Sequence, residues 1–250
     1  MNSDFKTAII IPTFNEKKNI GILIPKLFDC LKKEKINAIV LVVDDNSPDK
    51  TGKVVKEMSN KYDVELFLRK EKKGIGSAYI DGFKYILKNT KVQNIITMDG
   101  DLSHDIKLIP LFLKEIKTND MVIGSRYIKG GNFKNWPKYR KLVSCVANKY
   151  ASVILGINTH DVSSGYRCYR RKLIESINLE GIREKGYSFF EEILFACIKE
   201  GAKIKEVPLV FTDRKYGKTK LGVSEITNYL IAMFRIRRKY YYYGKRKTII

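Results

Sequence analysis

AIVLVVDDNSPD, residues 38–49, is the stretch that decides the fold. Its first six residues are apolar without a break and mostly β-branched, the composition of a strand covered on both faces in a parallel sheet. Two carboxylates, Asp44 and Asp45, follow directly. Asp, Asn, Ser and Pro make turns, and Ser47 or Asp49 is enough to cap the next helix. That accounts for residues 46–49. It does not account for two acids abutting a wholly apolar strand.

The same grammar recurs on both sides. TAIII (residues 7–11) runs into PTFNE (12–16), and NIITM (94–98) runs into DGD (99–101). Between the strands, Ile20, Leu23, Ile24, Leu27, Phe28 and Leu31 share one face at 3.6-residue spacing. Further helices are expected at about 51–61, 75–87 and 106–117, with strands VELFL (64–68) and MVIG (121–124). Strand and helix alternating at this spacing require crossover connections. The expected architecture is one α/β domain, a doubly wound, mainly parallel sheet flanked by helices.

Ligands of such sheets bind outside the carboxyl ends of the strands. Glu16, Asp44, Asp45, Asp99 and Asp101 therefore gather along one edge, where like charges are costly unless a cation or donors offset them. Asp99 and Asp101, two apart in extended chain, would address one hard cation, and Gly100 would let a ligand approach the backbone. Such an ion, Mg²⁺ or Mn²⁺, takes oxygen ligands and shares them with substrate phosphates. Asp45 is the candidate for a ribose hydroxyl or base edge. KKGIGSAY (72–79) has neither a third glycine nor a Lys-Ser pair, so it is no dinucleotide fingerprint or P-loop. It reads as a glycine turn into a helix or a loop beside a nucleotide.

The second half is less regular. Residues 141–157 read as an amphipathic helix with Leu142, Val146, Tyr150, Val153 and Ile157 in line. SSGYR lies in a loop, 188–200 is a helix closed by Gly201, and a strand at 205–212 leads into the basic loop DRKYGKTKLG (213–222). Arg126 stands at a fifth strand end, Arg140 opens the amphipathic helix, and Arg214 and Lys220 lie in the basic loop. The planar fork of arginine suits phosphate.

The chain has 250 residues, with 48 Lys and Arg against 27 Asp and Glu, a net charge of +21. This excludes an acidic solvating chain and favours anionic partners. Nucleic acid is excluded as the partner, because the acidic strand ends would repel a phosphate backbone. Cys30, Cys145, Cys168 and Cys197 form no CxxC pair, which argues against a zinc or disulfide framework. No apolar run approaches the ~20 residues of a membrane span. Residues 203–250 hold 13 basic and three acidic residues, and Ile226, Tyr229, Leu230 and Met233 keep an apolar helical face ahead of RIRRKYYYYGKRK. Basic residues among aromatics suit the surface of an anionic membrane.

Read in order, PTFNE, DDNSPD, GIGSAY, MDGDLSH, GSRY, SGYR and DRKYGKTKLG resemble the dolichol-phosphate mannosyltransferases, family 2 glycosyltransferases of the GT-A fold. The resemblance runs from about residue 7 to residue 230. It implies a catalytic domain over 1–230 and a basic, tyrosine-rich tail over 231–250. It implies metal-dependent, inverting transfer of mannose from GDP-mannose to a polyprenyl or dolichyl phosphate. The setting it implies is the cytoplasmic face of a membrane, held peripherally, in some members through a small anchoring subunit. Position by position, Pro12, Phe14, Glu16, Val43 and Asp45 match the nucleotide pocket. Asp99, Gly100 and Asp101 match the metal and diphosphate site. Arg126, Arg214 and Lys220 match phosphate-binding positions, and Arg140 matches a further acceptor-phosphate arginine; Asp99, Asp101, Arg126 and Arg140 are thereby the catalytic candidates. Phe14 stands where a tyrosine is frequent, and Ser103 where some members place a glutamine metal ligand. The strand-end motifs do not separate guanine from uracil, so a UDP-sugar donor (glucose or N-acetylhexosamine) is the alternative.

Overall fold

The computed structural model describes residues 6–186, 188–213 and 223–247, with side chains in the last segment from 227 to 240. Arg214 and Lys220 lie outside the described residues.

The strands form where β-branched runs predicted them: β1 (Thr7–Thr13), β2 (Ala38–Asp44), β3 (Val64–Leu68), β4 (Asn94–Thr97) and β5 (Met121–Ser125). Every residue of β2 is buried. The helices between them are α1 (Lys17–Lys33), α2 (Thr51–Met58), α3 (Ile75–Asn89) and α4 (Ile109–Glu115). A 3₁₀ turn at Ile106–Leu108 precedes α4, because Pro110 admits a helix only at its first turn. The seven-stranded sheet has the order β3-β2-β1-β4-β7-β5-β8, with β7 spanning Arg167–Arg170 and β8 spanning Ile204–Pro208. The pairs β1·β2, β1·β4, β2·β3 and β5·β8 are parallel. β7 runs antiparallel between β4 and β5, making the sheet mixed at its centre.

SSGYR lies in a loop as expected up to Tyr166, and Arg167, its last residue, opens β7 and is fully buried in the sheet. One expectation is corrected. The strand expected over 205–212 divides at Leu209. β8 stays in the main sheet, while β9 (Val210–Thr212) pairs with β6 (Asn132–Lys134) in a separate two-stranded sheet.

Alternation along the strands feeds two cores. Ile10, Leu41 and Val43 face the layer of α3, α5 (Lys138–Leu155), α7 (Phe189–Lys199) and α8 (Val223–Lys247). Ile9, Ile11, Val40 and Val42 face α1 and α4. A short helix, α6 (Arg171–Ser176), completes the first layer. α8 continues unbroken past residue 230, burying Ala232, Met233, Ile236 and Tyr240. Among the described residues no helix is long and apolar enough to cross a membrane.

α5 forms where predicted, and its apolar stripe is mostly outward. Its buried residues are Asn148, Ala151 and Leu155, while Leu142, Val146 and Val153 are exposed; Tyr150 is half-buried, and Ile157, beyond the helix end, is buried. Periodicity shows that a helix has an apolar stripe without showing which way the stripe turns.

The layers approach closely at Gly82 of α3. A Cβ there would lie 2.7 Å from Ile10 Cγ2 and 3.3 Å from Val43 Cγ2. Gly82→Val should therefore overpack the helix–sheet contact and cost about 2 kcal/mol or more, seen as a lower urea midpoint at unchanged m-value.

Candidate active site

The carboxyl edge is built first from two loops that staple each other. The chain entering α1 presents N–H groups with no intrahelical acceptor. The β2–α2 loop and the start of α2 supply them: Asn15 N–H donates to Ser47 Oγ (2.9 Å), Glu16 N–H to Thr51 Oγ1 (3.0 Å) and Lys17 N–H, the first of α1, to Asp49 Oδ2 (3.0 Å). Asp44, fully buried, accepts from Ser47 N–H and Oγ and from Thr13 Oγ1. Asp44 is thus a structural acid. Asp49 caps α1 as well as bonding Thr51 of α2. Partial burial opposes ionisation of Asp49, but these hydrogen bonds outweigh it and hold the carboxyl below the ordinary Asp value.

Asp45 is held from behind. Arg69, itself buried, pairs with Asp45 Oδ1 at 2.5 Å, with Asp81 at 3.0 Å and donates to Ser77 Oγ at 2.6 Å. Burial pushes the Asp45 carboxyl up, against the pull of Arg69. Phe14 is half-buried, with the Lys72 ammonium 4.0 Å from its ring centroid. Glu16 Oε2 accepts from Asn19 Nδ2. Pro12, next to last in β1, lies opposite Val43, whose side chain is fully buried in the core beside Gly82, leaving Val43 only its main chain to offer a ligand. KGIGSAY resolves as a glycine turn: Gly74 (φ +93°) precedes α3, and Ser77 and Tyr79 of α3 serve the acids.

The DGD triplet is a turn rather than extended chain. Asp99 N–H donates to His104 Nδ1 at 3.0 Å, which leaves the proton on Nε2, 3.7 Å from Asp99 Oδ2. Tyr79 Oη donates to Asp99 Oδ1 at 3.3 Å. Asp101 Oδ1 accepts Ser103 N–H at 3.1 Å, and the chain passes through Leu102 at φ +66°, a strained conformation for a bulky side chain. His104 stacks on Tyr166 (centroids 4.6 Å apart, planes 6° apart) and is buried, which lowers its pKa despite Asp99 and Asp101. Burial and then Asp99 raise that of Tyr79, with Asp101 adding to the effect, so both carboxylates bear on the same two side chains. A Cβ at Gly100 would touch Ile11, Ile20 and Thr13 at 3.3–3.4 Å, so Gly100 serves packing as well as access.

This donor set suits a hard cation. It offers two carboxylates and, beside Asp101, the Ser103 hydroxyl, buried and without a hydrogen-bond partner. Among the described residues no three His, Cys, Asp or Glu side chains form a closed metal cage. The residues fit an ion that completes its shell from substrate and water.

Arg126 and Arg140 are each paired with a carboxylate. Arg126 donates through Nε (2.8 Å) and Nη2 (2.7 Å) to Asp161 and through Nη2 to Ser163 Oγ. Burial works against its charge, yet Asp161 prevails and raises its pKa; Asp161 in turn, although buried, is lowered by Arg126. Arg140 Nη1 meets both oxygens of Asp213 at 3.1 Å, and its guanidinium lies 3.8 Å over the Trp136 ring. Nη1 of Arg126 and Nη2 of Arg140 are not among the atoms so engaged. Phe133 and Phe211, from the small sheet, flank Arg126 at 5.4 and 5.7 Å.

Sequence reading missed Arg69, Tyr79, His104 and Asp161. Arg69 had the signal that singled out Arg126, an arginine just past a strand end. His104 stood inside MDGDLSH. Asp161, 35 residues from Arg126, gave no local sign. Also missed was Glu191, fully buried, whose Oε1 accepts from Tyr229 Oη of α8 at 2.8 Å while Oε2 has no partner.

The fold is that of the GT-A glycosyltransferases. The chain belongs to glycosyltransferase family 2, whose sequence model matches residues 8–177. It is 36% identical over 234 residues to the polyprenol monophosphomannose synthase of Mycolicibacterium smegmatis, covering 92% of this chain and 85% of that one. It is 37% identical over 218 residues to the undecaprenyl-phosphate mannosyltransferase of Micrococcus luteus, covering 87% and 88%. Among solved structures, mannosyl-3-phosphoglycerate synthase from Rubrobacter xylanophilus superposes with a TM-score of 0.70 at 16% identity, covering 97% of this chain and 75% of that one. Glucosyl-3-phosphoglycerate synthase from Mycobacterium tuberculosis, in complex with Mn²⁺, uridine diphosphate and phosphoglyceric acid, gives 0.67 at 15% identity, covering 94% and 78%.

Glu191 sets a pH dependence. Burial, opposed by the Tyr229 hydrogen bond, pushes its carboxyl from an ordinary 4.5 up to about 7. Between those values the native chain keeps a proton that the unfolded chain has released, so stability falls as pH rises through the window, by about 3 kcal/mol in all. Glu191→Gln should abolish that fall: in thermal melts at pH 5 and pH 8 the variant gains on the wild type only at the higher pH.

Proposed function

We propose that this enzyme transfers mannose from GDP-mannose to a polyprenyl or dolichyl phosphate at a membrane surface, with inversion at the anomeric carbon. The observation that carries the reading is the Asp99–Asp101 turn with its buried, unpartnered Ser103 hydroxyl, in a chain more than a third identical to polyprenyl-phosphate mannosyltransferases over most of its length.

The chemistry asks two things of the protein. A phosphate monoester has its second pKa near ~6 and is already largely ionised at neutral pH. No general base is needed to make the nucleophile. The enzyme must instead hold two anions close together and in line, a task of positioning and electrostatics. A divalent ion, Mg²⁺ or Mn²⁺, would be held by Asp99 and Asp101 and would offset the charge that develops on the leaving diphosphate. Tyr79 donates to the Asp99 carboxylate, His104 holds the Asp99 main-chain N–H, and the Leu102 turn places Asp101.

The donor side is formed by Pro12, Phe14 and Glu16, the Val43 main chain, and Asp45 as positioned by Arg69. On the acceptor side, Asp161 and Asp213 orient Arg126 and Arg140 while leaving guanidinium nitrogens for a phosphate. Arg214 and Lys220, which follow Asp213 in the sequence, are the further candidates for binding phosphate. A small membrane subunit would add anchorage to what the chain itself provides.

Incubation of the purified protein with labelled GDP-mannose or UDP-glucose, polyprenyl phosphate and Mg²⁺ or Mn²⁺, followed by lipid extraction, tests this. Label should enter the lipid from GDP-mannose, require the divalent ion, and fall roughly 10²-fold or more in Asp101→Asn. Incorporation from UDP-glucose alone, or none from either donor, would refute the mannosyl reading.

A further inference from the structure

The face that α5 turns outward is the largest feature the reaction leaves unexplained. Eight of the eleven exposed large apolar residues among the described ones lie on α5 and α8. On α5, Tyr139, Leu142, Val143, Val146 and Val153 are 52–72% exposed and follow one another at helical spacing. On α8, Leu230, Ile231 and Phe234 are 37–57% exposed, also at helical spacing. The two stripes join. Tyr150 Oη donates to the Leu230 carbonyl at 3.0 Å, the Tyr150 and Phe234 rings are 6.4 Å apart, and Arg237 donates to the Ile154 carbonyl. Monomeric soluble proteins rarely expose contiguous apolar patches of this kind.

Charge identifies what covers the patch. α5 carries four basic residues and no acid. Arg140 is taken up by Asp213, while Lys138 and Lys149 of α5 and Arg238 of α8 are exposed and Lys141 is half-buried. Two copies of a basic face of this kind repel each other. An anionic bilayer answers both features: the apolar ridge enters the headgroup boundary, while Lys and Arg stems lie along it with their charges at the phosphates. From Tyr139 to Val153 the ridge is about 21 Å long at 1.5 Å per residue, enough to lie in the plane of a bilayer.

We infer that the outward face of α5, continued by Leu230, Ile231 and Phe234 of α8, is a docking surface for an anionic lipid bilayer. This goes beyond a basic tail in assigning the contact chiefly to α5, and it deepens the lipid-acceptor reading, from which only its functional purpose is drawn. The inner side of the same helix is wired to the acceptor side of the site. Ser144 Oγ and Tyr127 Oη share a hydrogen bond at 2.7 Å, Asn148 Oδ1 accepts Val162 N–H next to Asp161, and Arg140 lies in the first turn. Docking on the outer side thus sets the orientation in which Arg126 and Arg140 meet a lipid phosphate.

Flotation of the full chain with phosphatidylcholine vesicles, with and without phosphatidylglycerol, and with no polyprenyl phosphate or sugar nucleotide present, tests the surface independently of the reaction. The wild type should float with the phosphatidylglycerol vesicles, and Leu142→Glu/Val146→Glu should lose roughly tenfold or more of that partition. Both positions are exposed, so the variant should melt with the wild type. Partition unchanged in the variant would overturn the inference. So would a wild type that stays soluble beside anionic vesicles, including one that light scattering shows to dimerise, which would give the face to a second copy. Failure of mannosyl transfer with flotation intact would refute the proposed reaction and leave the surface standing.

Discussion

Like charge gathered at the carboxyl edge of a parallel sheet is the constraint around which this molecule is organised. Strand topology delivers Asp44, Asp45, Asp99 and Asp101 to one rim, and each receives a different settlement. Asp44 is spent on the backbone and hydroxyls of its own loop. Asp45 is set against a buried guanidinium. Asp99 accepts from the Tyr79 phenol, and its own N–H is held by His104. Asp101 accepts the Ser103 N–H at a strained turn. The acids at the β2 end are thus tied into their loop and to a buried guanidinium, while those at the β4 end share one short turn beside the Ser103 hydroxyl, an arrangement that suits a cation.

The positive side follows the complementary rule. A buried arginine costs too much unless a carboxylate accompanies it. Arg126 and Arg140 are accordingly delivered with Asp161 and Asp213, which lock their planes and leave the remaining nitrogens directed elsewhere. Arg167 goes further. It is fully buried and donates to two main-chain carbonyls, those of Phe190 and Val162, so it braces the segment that carries Asp161 from behind. α8 is joined to α7 through the Tyr229–Glu191 hydrogen bond and the Lys239–Glu192 pair. The helix that carries part of the apolar outer face is therefore also fastened to the interior.

Much of this was legible in the residues. Uninterrupted β-branched runs gave five strands, and 3.6-residue spacing gave the helices, because both signals are local. The rim acids followed from where strands end. What escaped depends on long-range pairing. β7 is short, with an arginine at each end, and only its antiparallel insertion between β4 and β5 makes it a strand. The partners of Arg126 and Arg140 lie 35 and 73 residues away, so two apparently available cations proved to be ion-paired. The orientation of α5 was hidden for a related reason: an apolar stripe packs inward only if the interior has room for it, and here Asn148 and Ala151 take the inner positions.

Calorimetric titration of the wild type and Asp101→Ala with guanosine diphosphate, in Mn²⁺ and in EDTA, reaches the central claim most directly. If the rim acids hold an ion shared with the diphosphate, Mn²⁺ tightens binding to the wild type by roughly tenfold or more and leaves the variant unchanged. Equal affinities with and without Mn²⁺ in the wild type, or a Mn²⁺ effect that persists in Asp101→Ala, would contradict the account.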